Sequence, residues 1–323
     1  MVLILNILII LVMSIVIFYF GNIFAKSSSK IGDYFKLPRS VKGATFDAIA
    51  SSLPELFVAL FAVIFFHKFE VGIGTIAGSA LFNLLIIPGI CVLISPVVFK
   101  VSKKVVSREA IFYLVAVFVL LVLLLYFKSW GFGIAIVLLL IYLVYTKELV
   151  SHSRKYRKEH QKDKKEEIKI FREITIFFIT MFFIGIATYF LTKSTINLSE
   201  ILKISPIIIA FTITAAATSV PDTVISVVNA KKGDLDDAVS NVFGSNIFDI
   251  LVGLGLPLLI YNIFVGPVQI NFQNIEIILG LLGATILVIY FFAEEEKLTK
   301  KQGLFLLLLY LVFLAYVIFL SFI

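Results

Sequence analysis

The chain has 323 residues, of which 60% are hydrophobic and 15% charged, with a mean hydropathy of +1.07. Soluble domains are about 45–50% apolar, so this excess excludes an ordinary water-solvated fold and makes lipid the solvent for much of the surface. A net charge of +7 in such a chain points to basic cytoplasmic loops rather than to nucleic-acid binding, and the one cysteine, Cys91, excludes an internal disulfide framework or a multi-cysteine zinc site.

A span needs about 20 mostly apolar residues to cross about 30 Å of hydrocarbon. Ten segments qualify in chain order, near 2–24, 40–66, 71–97, 108–127, 130–146, 173–192, 204–229, 236–261, 273–293 and 302–322. The first lacks a charged n-region and a small-residue cleavage site, so it reads as a span and not a signal peptide. Segments 2, 3, 7 and 8 are interrupted by Gly, Pro and polar residues, while the others are plain Leu/Ile/Val/Phe runs. Cys91, in an apolar run of segment 3, reads as inert packing. When the loops are assigned to alternate sides, 24 of the 28 Lys and Arg fall on one side. That side is expected to be cytoplasmic, which leaves both termini extracytoplasmic.

The one substantial hydrophilic stretch, His152–Glu167, reads as a connector. A regulatory or anionic-lipid site is the sharper alternative. His152 and His160 lack Cys or clustered carboxylate partners at ligand spacing, so no structural metal is expected from them. The chain thus divides into 1–147, a basic cytoplasmic linker 148–172, and 173–323.

The two parts repeat one another. Ser51-Ser52-Leu53-Pro54-Glu55 aligns with Thr218-Ser219-Val220-Pro221-Asp222, and Gly78-Ser79-Ala80-Leu81-Phe82-Asn83 aligns with Gly244-Ser245-Asn246-Ile247-Phe248-Asp249. Five spans per part is an odd number, so the second copy enters the membrane in the opposite sense. The expected fold is therefore all-α and integral to the membrane. Ten transmembrane helices form two inverted-topology five-helix repeats, with helices broken at the midplane.

Four carboxylates fall inside predicted spans away from their ends: Asp47, Glu55, Asp222 and Asp249. Each costs at least ~2.5–3.5 kcal/mol at the centre of a membrane helix. No Lys or Arg lies in the central parts of segments 2, 3, 7 or 8, so the compensation is a proton or a bound cation. Pro54 and Pro221 each remove a backbone N–H and free carbonyls about one turn earlier. A Ser/Thr-Pro stretch alone is often only a kink. Two copies, each with an acid directly after Pro, favour an all-oxygen cation site instead. Ser79 and Asn83, and Ser245 and Asp249, stand four residues apart, so each pair shares a helix face. Asn246 has Ala80 opposite it and reads as a packing or helix-contact residue. Asp47, eight residues before Glu55, is open between a vestibule charge, a proton acceptor and part of an altered site. The small residues of segments 3 and 8 read as close helix packing, and no GxxxxGK[ST] pattern supports ATP-driven transport.

The strings SSLPELF, VGIGTIAGSALFN, TSVPD and AVSNVFGSNIFDILVGLGLP resemble the cation/Ca²⁺ exchanger superfamily, and within it the K⁺-dependent Na⁺/Ca²⁺ exchanger branch. The resemblance implies an antiporter that exchanges Ca²⁺ for Na⁺, with K⁺ co-transport possible in that branch, and that has no cofactor and is not an enzyme. It implies Glu55 and Asp222 as central ligands. Ser51, Ser52, Thr218, Ser219, Ser79, Asn83, Ser245 and Asp249 would line the sites, with carbonyls from Ala48 and Ala215. Where the family usually has Gly before this core, the chain has Ala50 and Ala217. A divalent cation/H⁺ antiporter is the alternative. An intramembrane protease is disfavoured, since GxGD and HExxH patterns are absent. The expected partners are the bilayer and inorganic cations, with a monomer in a prokaryotic cytoplasmic membrane as the simplest form.

Overall fold

The computed structural model describes residues 2–35, 42–159, 169–272, 274–295 and 297–320. Part of the linker 148–172, including His160, lies outside the described residues, and so does the side chain of His152. Helix α1 is Val2–Tyr34. A π turn, Gly43–Asp47, leads into α2, Ala48–Ser51, and then α3, Leu53–Ile64. Helices α4, Phe69–Ile94, α5, Lys103–Tyr126, and α6, Phe132–Glu159, follow. The next helices are α7, Ile170–Leu202, and α8, Pro206–Ile209. A second π turn, Ala210–Thr214, precedes α9, Ala215–Thr218, and α10, Val220–Lys232. Helix α11, Leu235–Phe248, passes through a third π turn, Asp249–Gly253, into α12, Gly255–Phe264. Helices α13, Ile275–Glu295, and α14, Lys300–Leu320, complete the chain. Two short strands, β1, Ser129–Trp130, and β2, Val268–Gln269, pair antiparallel.

Among the described residues eight helices are long and apolar enough to cross a membrane, or ten if each of two bent pairs is one span. The bent pairs are Ala44–Ser51 with Leu53–Ile64, at 50°, and Pro206–Thr218 with Val220–Lys232, at 42°. Both bends fall at a residue with near-zero ψ, Ser52 (ψ 2°) and Ser219 (ψ 0°), followed two residues later by proline. Proline has no N–H for the carbonyl four residues back, and its fixed φ suits the first turn of a new helix. The chain therefore stops one helix and starts another there.

Segment 3, expected to be interrupted, is one helix through Pro88. A single missing hydrogen bond does not end a helix that is buried on nearly every side, as α4 is at the centre of the molecule. Segment 8 is interrupted by the π turn at Asp249. Helices α1 and α7 also run ten residues beyond their expected ends. At 33 residues each they are about 50 Å long, against about 30 Å of hydrocarbon. Their polar ends stay helical because they are packed: Ser27 Oγ donates to the Glu173 carbonyl at 2.6 Å, and Asn197 Nδ2 to Asn6 Oδ1 at 3.3 Å. Between those points Phe20 stacks on Phe183 and Phe24 on Phe177. The two helices are thus an antiparallel pair. Their outer faces, such as Ile4, Leu8, Ile15, Phe178 and Phe182, are exposed apolar surface suited to lipid.

Two glycines let the core close. A Cβ at Gly78 of α4 would overlap the Phe211 carbonyl and meet the Ala215 Cβ at 2.7 Å. A Cβ at Gly244 of α11 would meet Ala44 Cα at 2.9 Å and Ala48 Cβ at 3.2 Å. Phe211 and Ala215 stand where Ala44 and Ala48 stand in the aligned motif, so the two contacts are reciprocal. Gly78→Val should therefore lower the thermal stability of the purified protein in detergent by about 1–3 kcal/mol or prevent folding, whereas a Val at the open Gly133 should leave the melting temperature within a degree or two of the parent, roughly the scatter of a neutral surface change.

Candidate functional site

The breaks at Ser52 and Ser219 place Glu55 and Asp222 in the first turns of α3 and α10. A helix N-terminus favours an acid there by roughly 0.3–1 kcal/mol, up to about 2 when partly buried. That is less than the cost of an intramembrane charge, so the helix ends alone do not balance these carboxylates.

The side chains converge where α3, α4, α10 and α11 meet. Glu55, Asp222, Asp249, Asn83, Ser79, Ser245, Ser51, Ser52, Thr218 and Ser219 are all inaccessible to solvent. Ser79 Oγ lies between two carboxylates, 3.1 Å from Glu55 Oε1 and 3.5 Å from Asp249 Oδ2, and accepts from Ser219 Oγ at 2.8 Å. Asn83 Nδ2 donates to Asp222 Oδ2 at 2.8 Å and to Asn246 Oδ1 at 3.1 Å. It also lies 3.5 Å from Ser245 Oγ. Ser52 Oγ faces the Ser245 carbonyl at 3.4 Å. Each aligned half thus contributes to the same centre.

The hydroxyls of the two motifs behave alike. Ser51 Oγ donates to the Asp47 and Ala48 carbonyls at 2.9 and 3.1 Å, and Thr218 Oγ1 to the Thr214 and Ala215 carbonyls at 3.1 and 3.2 Å. Each hydroxyl also faces a carboxylate across the centre, Thr218 that of Glu55 and Ser51 that of Asp222. The Ala48 and Ala215 carbonyls also accept the Ser52 and Ser219 N–H groups at 3.0 and 2.9 Å. Both of their lone pairs are engaged in this conformation, unlike the open carbonyls that the family resemblance implies.

Four buried acceptor atoms in the centre have no hydrogen-bond donor: Glu55 Oε2, Asp222 Oδ1, Asp249 Oδ1 and Asn83 Oδ1. No Lys or Arg is among the described groups facing the three acids. Buried acceptors are almost always paired, and an orphaned carboxylate oxygen is satisfied by a cation or a proton. Among the described residues no three His, Cys, Asp or Glu side chains gather as a self-sufficient metal cluster. The donor set is instead mixed carboxylate, hydroxyl and carboxamide oxygen, which suits hard cations such as Na⁺ and Ca²⁺.

Asp47 stands apart. It is buried at the end of the first π turn with Oδ1 unpartnered, and the charges near it are Lys42, Asp33 and Lys232. The described hydrogen bonds do not link its carboxylate to the centre. Asn246, whose role the sequence leaves between packing and helix contact, bridges α11 to α4: it accepts from Asn83 and donates to the Ala80 carbonyl at 3.0 Å. Asn241, which the motif comparison passes over, donates to Ser226 Oγ at 3.1 Å and faces the Asp222 carbonyl at 3.4 Å. Its spacing four residues before Ser245 is the signal that could have found it.

A multi-pass membrane protein with a buried, acceptor-rich centre belongs to the class that handles inorganic cations. The model of the sodium/calcium exchanger protein family matches residues 5–147 and 173–319, and the chain belongs to that family. An uncharacterized membrane protein of Methanocaldococcus jannaschii is 27% identical over 301 residues, which is 93% of this chain and 94% of that one. Sodium/potassium/calcium exchanger 3 of Homo sapiens is 40% identical over 124 residues, 38% of this chain and 19% of that protein. The chain therefore spans about a fifth of that exchanger. Among solved structures, the sodium-calcium exchanger NCX_Mj soaked with Na⁺ and Sr²⁺ shares the fold, with a TM-score of 0.69 and 24% identity over 97% of this chain and 98% of that one.

Three buried acids in one centre repel each other when no cation is bound. At pH 9 in cation-free detergent buffer, Asp249→Asn should melt several degrees above the parent. Adding Ca²⁺ should raise the parent's melting temperature more than the variant's, because a ligand stabilises only the state that binds it.

Proposed function

We propose that the chain is an antiporter that exchanges Ca²⁺ for Na⁺ by alternating access, with the ions bound in turn at the centre formed by Glu55, Asp222, Asp249, Asn83, Ser79 and Ser245. The observation that carries this reading is the set of four orphaned acceptor oxygens in a centre with no basic partner among the described residues. Family membership supports the ion pair exchanged. Ser51, Ser52, Thr218 and Ser219 complete the shell. The Ala48 and Ala215 carbonyls join it once the Ser51 and Thr218 hydroxyls turn away. Glu55 and Asp222 together neutralise one Ca²⁺. Asp249 adds a third charge, which supports K⁺ travelling with Ca²⁺, as does the likeness to a sodium/potassium/calcium exchanger over 124 residues.

The architecture of this reading is ten spans in two inverted repeats, 1–147 and 173–323, joined by a cytoplasmic linker with both termini outside. The separate family matches to 5–147 and 173–319 support it, as do the two π turns at aligned positions and the reciprocal Gly78 and Gly244 contacts. Alternating access is then a movement of the α1–α7 pair past the core. Two of the contacts that hold that pair lie toward its opposite ends. Ser28 Oγ donates to the Phe46 carbonyl at 3.0 Å, reinforced by Lys42 with Asp33 and Ser29 at 3.0 Å. Thr195 Oγ1 pairs with Thr214 Oγ1 at 2.7 Å. Thr195→Val should speed amide hydrogen exchange over 206–218 by about three- to tenfold, the worth of one net hydrogen bond, and leave 44–51 unchanged.

The direct test is ⁴⁵Ca uptake into proteoliposomes under independently set Na⁺, K⁺ and pH gradients. Na⁺-driven uptake should occur, and Glu55→Gln should reduce it to vesicle background. Uptake driven by a pH gradient without Na⁺ would assign the protein to cation/H⁺ exchange instead, and Na⁺-driven uptake that ignores K⁺ would remove K⁺ from the cycle.

A further inference from the structure

The four helices that carry the motifs do not close the centre by themselves. Behind it, on α5, lies Tyr113, a fully buried tyrosine in an otherwise apolar stretch. Its ring packs against Phe243 of α11, with centroids 5.7 Å apart. Its hydroxyl faces Asn246 and Thr285, with Asp249 the nearest charge. In this geometry the hydroxyl completes no hydrogen bond. Thr285 gives its own hydrogen to the Leu281 carbonyl at 2.8 Å, so it offers Tyr113 only lone pairs. One hydrogen of Asn246 Nδ2 goes to the Ala80 carbonyl, and Oδ1 on the other side of the same amide faces Asn83.

A phenol hydroxyl has one hydrogen to give and lone pairs with which to accept. A buried hydroxyl without a partner is costly, so its hydrogen turns to whichever acceptor the moment offers. Asn246 Oδ1 is one such acceptor, since it receives Asn83 Nδ2 through one lone pair and keeps another. Anchoring that oxygen anchors Asn83, whose amide donates to Asp222 Oδ2.

We propose that Tyr113 is a positioning residue for the cation centre. Through Asn246 it holds the Asn83 carboxamide in the orientation that presents Oδ1 to the cation and Nδ2 to Asp222. The role rests on the exchange reading above and extends the centre to a fifth helix. The group acts at second hand: it touches no ion, and its effect passes through Asn246 and Asn83.

Tyr113→Phe removes one oxygen and keeps the packing on Phe243, so it isolates the hydroxyl. In proteoliposomes it should raise the half-saturating Ca²⁺ concentration for Na⁺-driven ⁴⁵Ca uptake by about three- to tenfold, the range of one net hydrogen bond. Maximal rate and melting temperature should be nearly unchanged. In the Asn246→Ala background the same change should add almost nothing to the half-saturating concentration, because the relay is already cut. An unchanged half-saturating concentration in Tyr113→Phe would overturn the proposal. So would a fall in maximal rate or melting temperature alone, or full additivity with Asn246→Ala. Glu55→Gln in the same assay tells the two failures apart: if it retains uptake, the exchange reading itself is wrong, whereas if it abolishes uptake and Tyr113→Phe is silent, only the positioning role is lost.

Discussion

Everything in this fold answers to one constraint: three carboxylates share a solvent-free centre in which no Lys or Arg faces them. An ion pair is the usual remedy for buried charge, and here the described side chains supply none. The first turns of α3 and α10 soften the cost at Glu55 and Asp222, but by less than the burial demands. The remainder falls to something that enters and leaves. A resident counter-charge would make the centre a structural ion pair. Its absence is what lets a transported cation bind strongly enough to be held and be released when another takes its place.

Such a centre needs ligands from both halves at once, because no single helix turn presents six to eight oxygens. The packing follows from that need. Gly78 and Gly244 remove side chains where α4 and α11 cross the backbones of the opposite half, and only then can Ser79, Asn83, Ser245 and Asp249 reach the acids on α3 and α10. The helices that do not contribute ligands shield the centre. Long Phe, Leu and Ile surfaces on α1, α7 and α14 face outward, and the α1–α7 pair meets the ligand-bearing helices along its other face, as where Gly21 meets Pro221 and Gly185 meets Phe57. On the proposed alternating-access reading, that division separates a part that keeps ligand geometry from a part that moves past it.

Much of this was legible in the sequence, for a physical reason. A polar residue in an apolar span has no cheap explanation, so Glu55, Asp222, Asp249, Ser79 and Asn83 announce themselves, and the structure brings these five together. What escaped notice was of two kinds. The first is backbone geometry without a dedicated residue. Nothing in GATFD, AFTIT or DILVG signals a π turn, and Pro88 looks like a break although α4 runs through it. The second is residues whose chemistry is ambiguous without neighbours. Asn241 sits in a helix rich in small polar residues, and Tyr113 is as easily a packing residue as a donor. The extra turns of α1 and α7 were hidden because their polar ends read as loop, when each end is satisfied by the other helix.

The two halves are alike but not equal, and the difference lies at one aligned position, Asn83 against Asp249. Asn83 is a neutral cross-link, a donor to Asp222 through an amide that Asn246 also holds. Asp249 is a charge, reached by Ser79 only at 3.5 Å, with Glu55 the largest charge acting on it. The Asp222 side of the centre is therefore braced, and the Glu55–Asp249 side is held apart by its own repulsion. A divalent ion between Glu55 and Asp222 cancels two charges and leaves Asp249 over. In a low-dielectric interior that residual charge is expensive at any short distance from Glu55. On the exchange reading proposed above, this asymmetry asks for one monovalent cation or a proton on the Asp249 side whenever a divalent ion lies between Glu55 and Asp222. On that reading the choice between them falls to Asp249 rather than to the Pro-acidic motifs.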